Sequence, residues 1–112
     1  MNLFANLPSS AQEEIQILLQ SGPVRIERIV SNGEASPQGF WYDQDQEEWV
    51  VLLRGTATLE FQGNPDRLLG AGDYLLIPAH TKHRVSAVSE DAIWLGFHFQ
   101  GAMGEPESAG PV

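Results

Sequence analysis

Near the N-terminus, apolar positions have the spacing of one face of a helix. They are Ile15, Leu18 and Leu19. Ser10 and Glu13 have the spacing of a capping box at the start of this segment, and a Ser-Gly-Pro sequence at 21–23 is typical of a helix end. The pattern therefore predicts one short N-terminal helix over residues 9–20.

From Val24 onward the pattern changes to short apolar runs separated by Gly, Pro, Asn or Asp, which is typical of strands and turns. The predicted strands are 24–30, 39–43, 48–54, 56–61, 67–69, 73–77, 83–88 and 92–99. Regularly spaced short strands favour an all-β sandwich or barrel of the jelly-roll kind. We therefore expect a helical segment over 1–23 that packs on a barrel over 24–100. The small, polar and Pro/Gly-rich residues 101–112 predict a flexible C-terminal tail.

Two of the predicted strands are apolar on both faces. These strands contain residues 48–53 and 94–99. A barrel with a single layer would expose one of the two faces to water, so a second sheet, the N-terminal helix or a partner subunit must cover it. A homodimer is the simplest arrangement that does so.

Composition narrows the class of protein. The chain has 112 residues, enough for one hydrophobic core, and six Lys and Arg against fifteen Asp and Glu give a net charge of −9. This balance argues against binding to nucleic acid or to an anionic membrane surface, since both reward clustered cations. The chain has no cysteine, no signal-peptide layout and no apolar run long enough to span a membrane. We expect a cytoplasmic protein without disulfides or thiolate metal sites.

Two spaced motifs carry the candidate chemistry. Glu48 is followed after six residues by Gly55, and Gly72 is followed by Pro78 and then by His83. This pattern resembles the two motifs of small single-domain cupins over residues 36–99. The resemblance implies a cupin-type jelly-roll β-barrel with a site inside the barrel, near its mouth.

The sequence departs from the cupin pattern where the first motif has two histidines. If three residues lie between the second histidine position and Glu48, the two positions hold Tyr42 and Gln44. If four residues lie between them, the two positions hold Trp41 and Asp43. In the second motif, a histidine at position 80 replaces a glycine. The family's Glu and His ligand positions remain, as Glu48 and His83.

The resemblance implies a divalent metal site, for which Gln44, Glu48 and His83 are the predicted ligands; under the four-residue spacing, Asp43 is an equally plausible oxygen ligand. Imidazole, carboxylate and amide oxygen are all metal donors, and Zn, Ni, Fe and Mn are not distinguished by this set. Further candidates to line the cavity are Tyr42, Asp43, His80 and His98.

Two hypotheses of function follow. In the first, the barrel binds a divalent metal and acts on or binds a small organic molecule. In the second, which the missing histidines favour, the same cavity binds or senses a small ligand without metal. The sequence contains neither a phosphate-binding loop nor a nucleophile elbow, so no nucleotide cofactor is predicted.

Overall fold

The computed structural model describes residues 1–8 and 12–100, and within them the chain forms strands and no helix. The strands are β1 (Glu14–Ser21), β2 (Val24–Val30), β3 (Glu47–Arg54), β4 (Ala57–Phe61), β5 (Arg67–Leu69), β6 (Tyr74–Ile77), β7 (His83–Val88) and β8 (Ile93–Phe99).

All strand pairs are antiparallel and form two sheets. The larger sheet has the order β1-β2-β8-β3-β6, and the smaller has the order β5-β4-β7. Alternate residues of each sheet point inward and form a shared core. The buried members of this core are Val50, Leu52, Ala57, Leu59, Leu69, Ile77, Ala92 and Trp94. The predicted all-β jelly roll is confirmed.

The helix predicted over residues 9–20 is wrong where the structure describes it, because Glu14–Ser21 form strand β1. This strand pairs with β2 from Glu14 to Ser21, with a register shift at Leu18. The Gly22-Pro23 pair is the turn of this hairpin, and Gly22 takes the positive φ of 57° that such a two-residue turn requires at its first position. The apolar residues of β1 stay exposed, since β1 is an edge strand that packs mainly on β2. Ser10 lies outside the described residues.

The other predicted strands are confirmed within one residue at each end, except 39–43. That segment is irregular and forms a single bridge between Tyr42 and His83. The turn in which Phe40 N–H donates to the carbonyl of Pro37 bends the chain there and prevents a longer ladder. The predicted tail, 101–112, lies outside the described residues.

Residues 1–8 and 12–100 contain no helix long and apolar enough to cross a bilayer.

Gly55 is needed at the corner between β3 and β4 for two physical reasons. Its φ is +93°, a conformation that L side chains rarely adopt. A Cβ at this position would also overlap Ser89 Oγ and lie 2.9 Å from the Cα of Ala92. The close approach of the loop before β8 therefore excludes any side chain here.

We expect Gly55→Ala to lower the free energy of unfolding by at least ~3 kcal/mol, because backbone strain and steric overlap add. The matched control is Gly63→Ala, since Gly63 has a similar φ of +82° but open space around it. The control should lose only about 1 kcal/mol, the cost of the strain. Urea unfolding of both variants measures the difference. Equal losses would show that the packing around Gly55 is not restrictive.

Candidate functional site

A cavity of about 260 Å³ lies between the two sheets and opens to solvent. Much of its wall is apolar and comes from both sheets. These residues include Ile29, Val50, Leu59, Ile77, Val85 and Trp94. Polar side chains from β2, β3, β7, β8 and the loop before β3 also reach the cavity, so it combines an apolar body with hydrogen-bonding groups.

The structure places most of the predicted site residues at this cavity. Tyr42, Gln44, Glu48, His83 and His98 all line it. Glu48, His83 and His98 are buried, with 8%, 5% and 5% of their surface exposed. Tyr42 is more open to solvent, at 37% exposed, and so lies towards the mouth.

Asp43 and His80, which the sequence predicts at the cavity, lie outside it. Their side chains are 42% and 65% exposed, and Asp43 Oδ1 lies 2.9 Å from His80 Nδ1. Asp43 points outward because its neighbours Tyr42 and Gln44 point inward. Tyr42 and Gln44, the pair given by the three-residue spacing, therefore line the cavity, whereas Trp41 and Asp43 of the four-residue spacing do not.

His80 stands at the position of the family's glycine and keeps a glycine-like backbone. Its φ is +59°, which is strained for a residue with a Cβ. The strained turn lets His80 N–H donate to the carbonyl of Gln44 at 2.8 Å. Two further backbone bonds join Tyr42 and His83 in both directions, at 2.7 and 3.1 Å. Together these bonds hold Gln44 and His83 at the same end of the barrel.

The protonation of His83 follows from its hydrogen bond. Its Nδ1 lies 2.8 Å from the carbonyl oxygen of Thr81, which only accepts, so Nδ1 carries the proton. Burial lowers the pKa of His83, which keeps the ring neutral. Nε2 is then an acceptor, and it has no hydrogen-bond partner among the residues that the structure describes. The ring of Tyr42 stacks on His83 with a centroid distance of 5.5 Å.

A cluster of buried ionisable groups lies across the middle of the larger sheet. His98 Nε2 is 3.1 Å from Glu27 Oε1 and 3.6 Å from Glu48 Oε2. Arg25 Nε donates to Glu27 Oε2 at 2.8 Å, and Gln44 Nε2 donates to Glu48 Oε1 at 3.2 Å. Burial lowers the pKa of His98, so a neutral ring donates from Nε2 to the Glu27 carboxylate.

Arg25 and Glu27 are site residues that the sequence reasoning missed. A signal was present, because both are charged residues at alternate positions of strand β2, on the same face as Ile29. Only the register shows that this face is the inner one: Arg25 lies opposite His98, and Glu27 lies opposite Gly96 on β8.

Gly96 allows the two carboxylates to approach each other. It lies on β8 between Glu27 on β2 and Val50 on β3. A Cβ at Gly96 would be 3.2 Å from Glu48 Oε2 and 3.8 Å from the side chain of Ile29. The space that a side chain would fill is therefore occupied by the Glu48 carboxylate.

The pKa of Glu48 is raised to about 7. Burial is the main cause, and the charge of Glu27 adds to it, whereas Arg25 opposes the shift. Near neutral pH this carboxyl group can therefore release or accept a proton next to the neutral imidazole of His98. A carboxyl group with a pKa close to the working pH is suited to acid–base chemistry.

Comparisons with known proteins identify the family. The model of the cupin domain family matches residues 28–97, more than half of the chain. This chain is a cupin. A search of curated proteins found none that matches it.

Solved structures support the assignment. The chain is 44% identical to a Ralstonia eutropha JMP134 protein described as a "putative mannose-6-phosphate isomerase", with a TM-score of 0.87 over 90% of this chain and 97% of that one. A cupin superfamily protein from Desulfitobacterium hafniense DCB-2 is 21% identical, with a TM-score of 0.76 over 90% of each chain. KdgF from Halomonas sp. is 16% identical, with a TM-score of 0.69 over 86% and 87% of the two chains. The last two show the fold alone.

Cupins often bind metal ions. Within residues 1–8 and 12–100, no group of three or more His, Cys, Asp or Glu is arranged to hold an ion. The amide NH₂ of Gln44 faces the carboxylate of Glu48, and Glu27 accepts from both Arg25 and His98. The two carboxylates are thus engaged by nitrogen groups of the site, and this arrangement does not fit a preformed metal centre.

We expect the stability of the cupin to fall as pH rises through the pKa of Glu48. Because folding raises this pKa from 4.5 to about 7, the stabilisation is complete below pH 4.5 and is lost by pH 7 to 8. Glu48→Gln should remove this loss, which amounts to up to about 3 kcal/mol. Urea unfolding from pH 5 to 8 measures it as the difference between wild type and variant.

The control for this comparison is Glu90→Gln, the same change at an exposed position. It should follow the wild-type pH dependence. A Glu48→Gln curve parallel to the wild type would mean that Glu48 titrates at its ordinary pKa.

Proposed function

We propose that this cupin binds a small organic molecule inside the barrel, through hydrogen bonds and apolar contact rather than through a metal ion. One observation carries the proposal: buried hydrogen-bonding groups, among them the unpartnered Nε2 of His83, converge on a cavity whose remaining wall is apolar. Its volume of about 260 Å³ is close to the lower end of the range for ligand sites, roughly 300 Å³, and suits a small molecule.

The name of the Ralstonia relative suggests a sugar phosphate, but the charges of this cavity argue against a phosphorylated ligand. A phosphate group needs cations or several N–H donors. Among the described residues that line the cavity, Arg25 is the one Lys or Arg side chain, and it forms an ion pair with Glu27. Glu13 and Glu48 add two more carboxyl groups to the wall. A ligand without a phosphate therefore fits this barrel better.

The metal hypothesis, with Gln44, Glu48 and His83 as ligands of Zn, Ni, Fe or Mn, stays a prediction. Its support is the cupin family itself. If an ion did bind, Glu48 and His83 would supply a carboxylate oxygen and the Nε2 nitrogen. The ion would act as a Lewis acid towards a bound molecule.

We expect ligands to be found by a thermal-shift screen of chelator-treated protein with neutral, cationic and anionic compounds. A compound that occupies the cavity should raise the melting temperature of wild type and of His80→Ala, but not that of His83→Ala. Both variants remove an imidazole: His83 lies inside the cavity at the start of β7, and His80 lies outside it in the preceding loop. Unliganded melts of both variants establish that they fold.

Two outcomes would contradict this proposal. One is a library in which no compound stabilises the protein. The other is that Zn, Ni, Fe or Mn raises the melting temperature of wild type but not of Glu48→Ala or His83→Ala, and that compounds bind only when the metal is present. The second result would establish the metal hypothesis.

We also propose that two copies of the chain associate through the outer face of the larger sheet. Trp49 contacts Tyr74 and Phe97 there, with ring centroids 5.3 and 5.5 Å apart. Tyr74 and Leu76 on β6 are 65% and 47% exposed, so this apolar surface extends to the sheet edge. Contiguous apolar surface of this kind is typical of protein–protein contacts.

We expect light scattering during size-exclusion chromatography to give twice the chain mass for wild type. Leu76→Lys should give the monomer mass, because a buried, unpaired charge would weaken the contact. Leu68→Lys, at a more exposed leucine on the other sheet, should remain dimeric. A monomeric wild type at high concentration would overturn the homodimer.

A further inference from the structure

We propose that the ligand of this barrel is a small organic cation, a protonated amine with an apolar body, whose ammonium group donates hydrogen bonds to the Glu48 carboxylate and other acceptors of the cavity wall. The inference rests on the proposed function and names the chemical class of its ligand. It depends on which hydrogen-bonding groups of the cavity are already used and on the charge that remains.

The donors around the cavity are largely committed. Arg25 Nε and His98 Nε2 both donate to Glu27, at 2.8 and 3.1 Å. The Gln44 amide donates to Glu48 at 3.2 Å, and His83 Nδ1 donates to the carbonyl of Thr81 at 2.8 Å. A bound molecule that needs donors from the protein would have to displace these contacts.

The acceptors are in excess. His83 Nε2 has no partner among the described residues, although 95% of the residue's surface is buried. Glu48 Oε2 lies 3.6 Å from His98 Nε2, which is beyond the length of a hydrogen bond. The amide of Gln44 keeps its carbonyl oxygen as an acceptor when its NH₂ faces Glu48. These acceptors face a cavity that is open to solvent, and the N–H groups of a ligand could bond with them in place of water.

The charge of the wall points to the same class. Glu13, Glu27 and Glu48 face the cavity, and the guanidinium of Arg25 is the one cation among the described residues that line it. Burial is the main cause of the raised pKa of Glu13 and of Glu48, and repulsion by neighbouring carboxylates, Glu27 among them, adds to it. A cation placed among them would relieve that repulsion.

Arg25 does not offset this preference. Its terminal N–H groups are available, but its side chain is 33% exposed and its charge is neutralised by Glu27. An anionic ligand would therefore meet a compensated guanidinium and two further carboxyl groups. A bare metal ion would need several donors gathered at one point, and the described residues offer no such group. An ammonium ion can instead direct its hydrogens to separate acceptors.

The apolar part of the cavity wall predicts that the ligand also carries an apolar group. Trp94, Val50 and Leu59 are almost fully buried and line the cavity beside the polar groups. An alkyl or aryl group attached to the amine would contact this surface and leave water, which favours binding. A purely polar molecule would leave that contact unused.

The test is a comparison of three probes of one shape, benzylamine, benzyl alcohol and benzoate, titrated by NMR into chelator-treated protein at pH 8. We expect benzylamine to bind at least tenfold more tightly than benzyl alcohol, and benzoate not to bind. Glu48→Gln keeps the size of the side chain but removes its charge, so it should weaken benzylamine about tenfold and leave benzyl alcohol unchanged. Glu90→Gln, at the surface, should change neither affinity.

The outcomes separate the two proposals. Equal binding of benzylamine and benzyl alcohol, or tighter binding of benzoate, would overturn the cation while leaving a ligand-binding barrel. An amine preference that persists in Glu48→Gln would overturn the assignment of Glu48 as the anchor. If none of the probes binds and no compound in the wider screen does, the proposed function itself fails.

Discussion

The burial of two carboxyl groups next to each other in the larger sheet is the constraint on which the site depends. Glu27 and Glu48 are each more than 90% buried, and an uncompensated charge in such a place costs several kcal/mol. Arg25 and His98 compensate Glu27, whereas Glu48 has the amide of Gln44 and a raised pKa. The site thus contains one satisfied carboxylate and one that remains responsive to protons or to a bound cation.

This arrangement is created by the sheet rather than by any single strand. Glu27, His98 and Glu48 come from three neighbouring strands, β2, β8 and β3. The register places Glu48 opposite His98 and places Glu27 opposite Gly96, two residues before His98. Because Gly96 has no side chain, the Glu48 carboxylate has room beside it. The apolar core between the two sheets stabilises the sandwich, so the polar cluster need not contribute net stability.

The second half of the site depends on a strained loop. His80 adopts a positive φ, and backbone bonds from residues 80–83 hold Tyr42 and Gln44 against the cavity. Strain of this kind persists where surrounding contacts over-determine the backbone. Here it orients His83, whose free acceptor nitrogen faces the ligand space. Most of the cupin motif is therefore explained by backbone geometry: Gly55 by a close approach, and the position of His80 by a left-handed turn.

The sequence by itself determined every strand from Val24 onward that the structure contains, although it also predicted one over 39–43 that is irregular. It determined the two motif residues Glu48 and His83 as well. Apolar alternation and Gly/Pro punctuation are local properties, and so are the turns that they mark. It did not determine β1, since Ile15, Leu18 and Leu19 suit either a helix face or an edge strand, and the hairpin with β2 decides between them. It also did not identify Arg25 and Glu27 as site residues, or exclude Asp43 and His80. Which face of a strand or loop points inward is set by register and by packing between sheets, and these are decided only when the whole sandwich forms.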